Sequence, residues 1–324
     1  MLGFDLIFLS PKGALIALGI VVPLAVLVVV ARRGSRLRAA LAVPRASRWR
    51  LAVPTLAAAA VAALFGVAAA QPVAESETAL EVRTDAEAYV VIDISRSMLA
   101  RSGLGETMRL GRAKAAAVKL RSALPEVPVG VASLTDRTLP HLFPSADADA
   151  FRATVALALD IEQPPPRSSF ITTATSFDSL AAISTQRFFS PRAQKRAVVV
   201  LTDGETQGIN EARLARVWRR PPGVNVIFVQ FWSRDERVFN RGLPEPQYRP
   251  DPAARSDLDR LAKATGATVF DESELDDVTA RVRSALKRGP VVTEGVRKTR
   301  LALAPYLLAF AILPLGLLLW KRER

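Results

Sequence analysis

Hydrophobic positions follow two different regimes along the chain. Gly13–Ala31, Leu51–Ala70 and Leu301–Trp320 are apolar runs of 19 to 20 residues with no charged side chain. About 20 such residues, at 1.5 Å each, cross the roughly 30 Å hydrocarbon core of a bilayer. The pattern therefore predicts three transmembrane helices. Two other readings fit parts of it: buried core helices, or a signal peptide for the first run. The second run ends Ala68-Ala69-Ala70-Gln71, which has the small-residue look of a signal-peptidase site, although a complete span precedes it.

Between the second and third runs the pattern changes. Ala88–Ile94 is a short and nearly continuous apolar run, as expected of a strand buried on both faces. Leu110, Ala113, Ala117, Leu120 and Leu124 then recur at helical spacing up to Pro125. Val127–Leu134 predicts a strand, and Phe151, Val155 and Leu159 a helix with Asp147 and Asp149 near its start. Phe177–Phe188 predicts another helix, Ala197–Leu201 a strand, Ile209–Arg219 a helix and Val224–Phe231 a strand. Ser256 can cap the helix that follows, with Asp259 three residues on. A last helix near Glu274–Lys287 has acid at its start, base at its end and Gly289 beyond. Strands alternating with helices imply an α/β, Rossmann-like domain with a mainly parallel central sheet over residues 71–299. In such sheets ligands bind outside the carboxyl ends of the strands.

Charge changes this picture by orienting it. The net charge of +13 raises the possibility of nucleic acid or anionic lipid as partner. The excess is local, however. Residues 71–299 hold 32 basic and 29 acidic side chains, only +3. The 32–50 loop carries Arg32, Arg33, Arg36, Arg38, Arg45, Arg48 and Arg50 and no acid, and the tail is Lys321, Arg322, Glu323, Arg324. The positive-inside rule places that loop and the 321–324 tail in the cytoplasm and the 71–299 domain on the extracytoplasmic side. Topology accounts for the arginines, so nucleic acid is not expected. The absence of cysteine permits export without deciding it.

Candidate chemistry follows the buried strands. After the first comes Asp93-Ile94-Ser95-Arg96-Ser97, a D-x-S-x-S pattern; after the second of the fully apolar ones comes Thr202-Asp203-Gly204-Glu205. Alternation lets an extended strand end direct all three side chains of the first motif to one side. Two carboxylates and two hydroxyls make an all-oxygen set, which hard cations such as Mg²⁺ take. Each motif alone is weak, because the serines could simply cap a helix and Asp203-Gly204 could simply form a turn.

Asp93, Ser95, Ser97, a Thr-bearing segment and VVVLTDGE together resemble the metal-ion-dependent adhesion site of von Willebrand factor A domains. Two spans, an A domain and one further span are similar in layout to the Bat-type membrane proteins associated with MoxR ATPases. The resemblance implies Mg²⁺ or Mn²⁺ held by Asp93, Ser95, Ser97, a threonine and Asp203, with a partner protein's Asp or Glu completing the coordination. It further implies a non-enzymatic binding module, a MoxR-type AAA+ ATPase or other A-domain membrane proteins as partners, and a role in stress or maturation. In the family the threonine opens a helix with apolar positions two and five or six residues on. From Thr175 these are Phe177, Leu180 and Ala181; from Thr173 they are Thr175, Asp178 and Ser179, so Thr175 is the choice and Thr173 the alternative. MoxR-type ATPases are cytoplasmic, so direct contact would use the 32–50 loop or the tail.

Other groups carry less. His141, the single histidine, lies between Pro140 and Leu142 and reads as a satisfied surface or loop residue rather than a catalyst. Asp271, Glu272, Glu274, Asp276 and Asp277 read as the dipole-matched first turn of a helix, with a second cation site as the alternative. Ser233–Arg255 has no periodicity, many prolines and charges, and follows a buried strand on the same face as the two motifs. Loops of that length are often functional, which makes it a candidate partner contact. Two other classes stay open: a metal-dependent hydrolase or phosphoryl-transfer enzyme using Asp93, and a metal-free structural membrane subunit. Against the enzyme, the sequence offers no general base, phosphate loop or second acid beside Asp93.

Overall fold

A computed structural model describes residues 4–22, 25–26, 29–30, 32–33, 49–166, 175–207 and 209–322. In chain order the strands are β1 (Phe4–Phe8), β2 (Pro72–Arg83), β3 (Ala86–Asp93), β4 (Val129–Leu134), β5 (Thr138–Ser145), β6 (Lys195–Thr202), β7 (Asn225–Gln230), β8 (Phe239–Asn240), β9 (Leu243–Pro244), β10 (Thr268–Asp271) and β11 (Val291–Ala302). The α-helices are α1 (Trp49–Ala69), α2 (Arg109–Ala123), α3 (Ala148–Leu157), α4 (Ala182–Thr185), α5 (Glu211–Trp218), α6 (Ala254–Thr265), α7 (Leu275–Leu286) and α8 (Ala304–Arg322). They form two compact units, Leu80–Glu294 and the combination of Met1–Ala79 with Gly295–Arg324.

The Leu80–Glu294 unit is built on a six-stranded sheet in the order β10-β7-β6-β3-β4-β5. All neighbouring pairs are parallel except β4 and β5. The apolar run of β3 is continuous because both faces are covered. Ala86, Ala88, Val90 and Ile92 join one core with Leu110, Ala113, Ala117 and Leu120 of α2, Phe151 and Val155 of α3, and Val278 and Val282 of α7. Tyr89 and Val91 join a second core with Phe177, Leu180, Leu214, Trp218, Leu258 and Leu261 on the opposite face. A parallel sheet sandwiched in this way reads as unbroken hydrophobic strands in the sequence. A mixed α/β fold with a mostly parallel six-stranded sheet fits a von Willebrand factor A domain, as expected.

The strand order fixes where a ligand would sit. From β3 the chain adds β4 and β5 on one side and then β6, β7 and β10 on the other. The order therefore reverses between β3 and β6, and the crevice at such a switch point, outside the carboxyl ends, is where open α/β sheets bind ligands. Asp93 closes β3 and Asp203 follows β6.

Several expectations are corrected. Phe177–Phe188 is not one helix: a 3-10 turn at Phe177–Ala181 runs into the single turn of α4, and Gln186 is extended. Tertiary packing ends it, because Phe188 and Phe189 turn inward to flank Tyr89 at 5.3 Å, and the Tyr89 hydroxyl donates to the Phe188 carbonyl at 3.1 Å. Ser256 does not cap α6, which starts at Ala254; the Ser256 hydroxyl donates back to Ala253 O inside the first turn. Strands β5 and β10 were not expected. Pro140 and Pro144 argue against a strand over Thr138–Ser145, but β5 is an edge strand, where proline is tolerated. The acidic cluster at residues 271–277 does form a helix start, with Asp271 and Glu274 in a capping box. His141 lies on β5, partly exposed, with its Nε2 paired to Ser133 Oγ at 2.8 Å, a satisfied residue as expected, and burial lowers its pKa.

In the other unit β1 pairs antiparallel with β2, and the sheet order is β1-β2-β11. The first expected span begins as a 3-10 helix, Pro11–Ile20, and continues into residues that lie partly outside the described ones. Leu301 and Ala302 belong to β11, so the third apolar run becomes helical only at Ala304. Among the described residues no helix is long and apolar enough to cross a membrane. Most of the 32–50 loop and the end of the 321–324 tail lie outside the described residues.

Candidate functional site

Register builds the site. Ile92 of β3 is opposite Leu201 of β6, so Asp93 and Thr202 leave the sheet side by side. Thr202 Oγ1 donates to Asp93 Oδ2 at 2.7 Å, and Ser95 N donates to Asp93 Oδ1 at 3.0 Å. A 3-10 turn at Arg96–Leu99 follows immediately and brings Ser97 back, so that Ser95 Oγ and Ser97 Oγ stand 3.0 Å apart. Thr175 arrives from the other side of the sheet, its hydroxyl 3.2 and 3.3 Å from the two Asp93 oxygens. Its backbone is held by Thr206 Oγ1 and Gln207 N on Thr175 O, and the adjacent Ser176 N donates to Thr135 O. Thr173 lies outside the described residues.

Asp203 is turned toward the same crevice by Gly204. That glycine has φ of +86°, and a Cβ there would stand 2.9 Å from Leu258 Cδ1 and 3.1 Å from Ala254 O. Only glycine meets both requirements. Glu205 N donates to Asp203 Oδ1 at 2.9 Å. All five expected residues are buried, with Asp93 and Asp203 at 0% exposure.

Burial of two carboxylates together has an electrostatic consequence. Removal from water pushes the Asp93 pKa up to about 7, and the nearby Asp203 charge adds to the rise. The Thr202 and Ser95 hydrogen bonds oppose it without cancelling it. Glu205 is raised as well, first by burial and then by Asp203.

The donor set can be tested against a cation by its own spacing. Adjacent oxygens around an octahedral Mg²⁺ at about 2.0–2.1 Å stand about 3 Å apart. The Ser95–Ser97 and Thr175–Asp93 separations, 3.0 and 3.2 Å, match that edge. Two carboxylates whose charges repel in a buried crevice are also what a divalent charge would stabilise. The residues present fit a hard divalent ion. Among the described residues no group of three or more His, Cys, Asp or Glu could hold a metal ion.

One large feature of the site was not anticipated. Arg109, the first residue of α2, is fully buried and aims its guanidinium at Asp203. Its Nη1 lies 3.0 Å from Asp203 Oδ2, 3.2 Å from Glu205 Oε1 and 2.9 Å from the Tyr248 hydroxyl. Its Nε donates to Glu236 Oε2 at 2.6 Å. Burial works to lower the Arg109 pKa, but Asp203, Tyr248 and Glu236 outweigh it and hold it above the ordinary value. The sequence did contain a signal: a cation in the first turn of a helix opposes the helix dipole, which calls for a compensating partner.

No family profile matches the chain, and no curated protein matches it. Among solved structures it is similar to the conserved hypothetical protein BatB from Bacteroides thetaiotaomicron, at 17% identity and a TM-score of 0.51, covering 63% of this chain and 100% of that one. It is also similar to an aerotolerance-related membrane protein from Bacteroides fragilis, at 19% identity and 0.47, covering 62% and 98%. A third is proximal thread matrix protein 1 from the mussel byssus with a zinc-occupied MIDAS motif, at 15% and 0.40, covering 62% and 48%. At these identities the BatB likeness establishes a shared fold.

Proposed function

We propose that this chain is a membrane-anchored von Willebrand factor A-type module that binds a protein partner through a divalent cation, Mg²⁺ or Mn²⁺. The observation that carries the reading is that the Ser95 and Ser97 hydroxyls pair with each other and the Thr175 hydroxyl with Asp93 at one buried strand end, with Asp203 beside them. Those five would hold the ion, directly or through water. Asp93 and Asp203 formally balance a divalent charge, and Arg109 draws on Asp203 from the other side. An Asp or Glu side chain from a partner suits a remaining position. Among the described residues the near neighbours of Asp93 are the Thr175 and Thr202 hydroxyls and Asp203, a set that suits cation binding.

Attachment to the membrane is supported by the exposed apolar side chains of α1 and α8. Leu56 is 68% exposed, Phe310 63% and Leu313 71%, a density unusual for helices facing water. The arginine-rich 32–50 loop of the sequence suits an extracytoplasmic domain at 71–299. A Bat-type assembly linked to a MoxR ATPase is the matching context. The test is capture of partner proteins from solubilised membranes by the full chain. Partners held in Mg²⁺ should be released by chelator and absent from Ser97→Ala. Identical capture by Ser97→Ala in chelator would overturn metal-mediated binding.

A further inference from the structure

We propose that Arg109 is a positioning residue that couples the cation site to the Ser233–Arg255 loop, so that loading the site tightens the loop. This rests on the metal-site reading above. The loop is not an independent insertion. Glu236 reaches both Arg109 Nε and Arg112 Nη2 at 2.6 Å, and the Tyr248 hydroxyl accepts from Arg109 Nη1 and donates to Glu205 Oε1 at 2.9 Å. The loop also leans on the segment that follows Ser97. Arg101 and Arg237 exchange backbone hydrogen bonds at 3.0 and 2.9 Å, the Arg101 guanidinium lies over the Phe239 ring at 5.4 Å, and Arg96 pairs with Glu245.

Arg109 stands at the centre of these contacts because, among the described residues, it is the one side chain that pairs with both Asp203 and the loop acid Glu236. The guanidinium and a divalent ion draw on the same carboxylate. A cation attracting Asp203 weakens that carboxylate's hold on Nη1, and the guanidinium's other acceptors are Glu205, Glu236 and Tyr248. Nη2 is buried with no hydrogen-bond partner among the described residues, so the group keeps a donor in reserve. Loading the site therefore shifts Arg109 toward Glu236 and Tyr248 of the loop and holds the loop more firmly. By linkage, a partner that holds the loop in that state raises cation affinity by the same factor. Partner specificity, carried by the loop, and cation occupancy become one equilibrium.

The test uses the full chain in neutral detergent and reads trypsin cleavage by mass spectrometry. Arg234 and Arg241 are exposed, and the latter precedes Gly242 in the β8–β9 turn. Exposed Arg192, ahead of β6, serves as the internal control. With saturating Mn²⁺, cleavage after Arg234 and Arg241 should slow several-fold relative to chelator, while cleavage after Arg192 stays unchanged. Glu236→Gln and Arg109→Lys should still bind Mn²⁺ and lose the protection. Tyr248→Phe, which removes a single hydroxyl, should lose part of it even if the other two fold poorly. Mn²⁺ binding with unchanged loop cleavage in the wild type, or full protection in Glu236→Gln and Tyr248→Phe, would overturn the coupling and leave the metal site standing. Failure of the wild type to bind Mn²⁺ at all would instead remove the metal site, and the coupling with it.

Discussion

Replacing Asp93 by Asn should make the metal-free protein more stable above neutral pH while abolishing cation binding. Asn keeps the shape and can still accept from Ser95 N, so the change removes charge rather than packing. The folded pKa is about 7, against 3.8 for the free side chain, so the folded state favours the protonated acid. The cost of ionisation is absent below about pH 4, grows as pH rises, and is complete once pH passes about 7. Three pH units at about 1.36 kcal/mol each come to about 4 kcal/mol. A cation present at about 100 times its dissociation constant would return about 2.7 kcal/mol of that. The assay is urea unfolding in chelator at pH 5 and pH 8, read by hydrogen exchange of the β3 and β6 amides, which isolates the Leu80–Glu294 unit. Two of those units fall between pH 5 and pH 8, so wild type should lose about 3 kcal/mol across that interval relative to Asp93→Asn. Parallel pH profiles for the two proteins would refute the argument that burial and Asp203 set the charge of Asp93.

Two other outcomes follow from the same geometry. Gly204→Ala places a Cβ at φ of +86° and 2.9 Å from Leu258 Cδ1, so a loss of roughly 1–3 kcal/mol is expected and would appear as a lower Tm. If α1 and α8 lie in lipid, the chain should stay with membranes through alkaline carbonate extraction, and protease added after permeabilising the outer barrier should digest residues 71–299. Protection of that domain would reverse the assigned orientation.

The parts of this fold that were legible in the sequence are those whose pattern has one cause. β3, β6 and β7 read as apolar runs because helices cover both of their faces, and α2 reads as a stripe at spacings of three and four because only one face is buried. The crevice was legible too, since Asp93 and Asp203 each follow such a strand. What escaped was decided by tertiary contact. Phe188 and Phe189 look like helix positions until Tyr89 is placed between them. Strand β5 hides behind two prolines that only an edge permits. Arg109 and Glu236, 127 positions apart, show no periodicity relative to each other, and nothing local in Ser233–Arg255 announces that it folds back over the site. Thr202 stands in the sequence motif without a role of its own, whereas its hydroxyl donates to Asp93 at 2.7 Å.

The central claim is that Asp93, Ser95, Ser97, Thr175 and Asp203 form a divalent-cation site. The most direct measurement is a Mn²⁺ titration of the full chain near pH 8, followed by the electron paramagnetic resonance signal of the free ion. One Mn²⁺ should bind per chain, and Mg²⁺ should displace it. Binding should weaken in Ser97→Ala and vanish in Asp93→Ala. Saturable binding that survives unchanged in Asp93→Ala, or no saturable binding by the wild type, would contradict the claim.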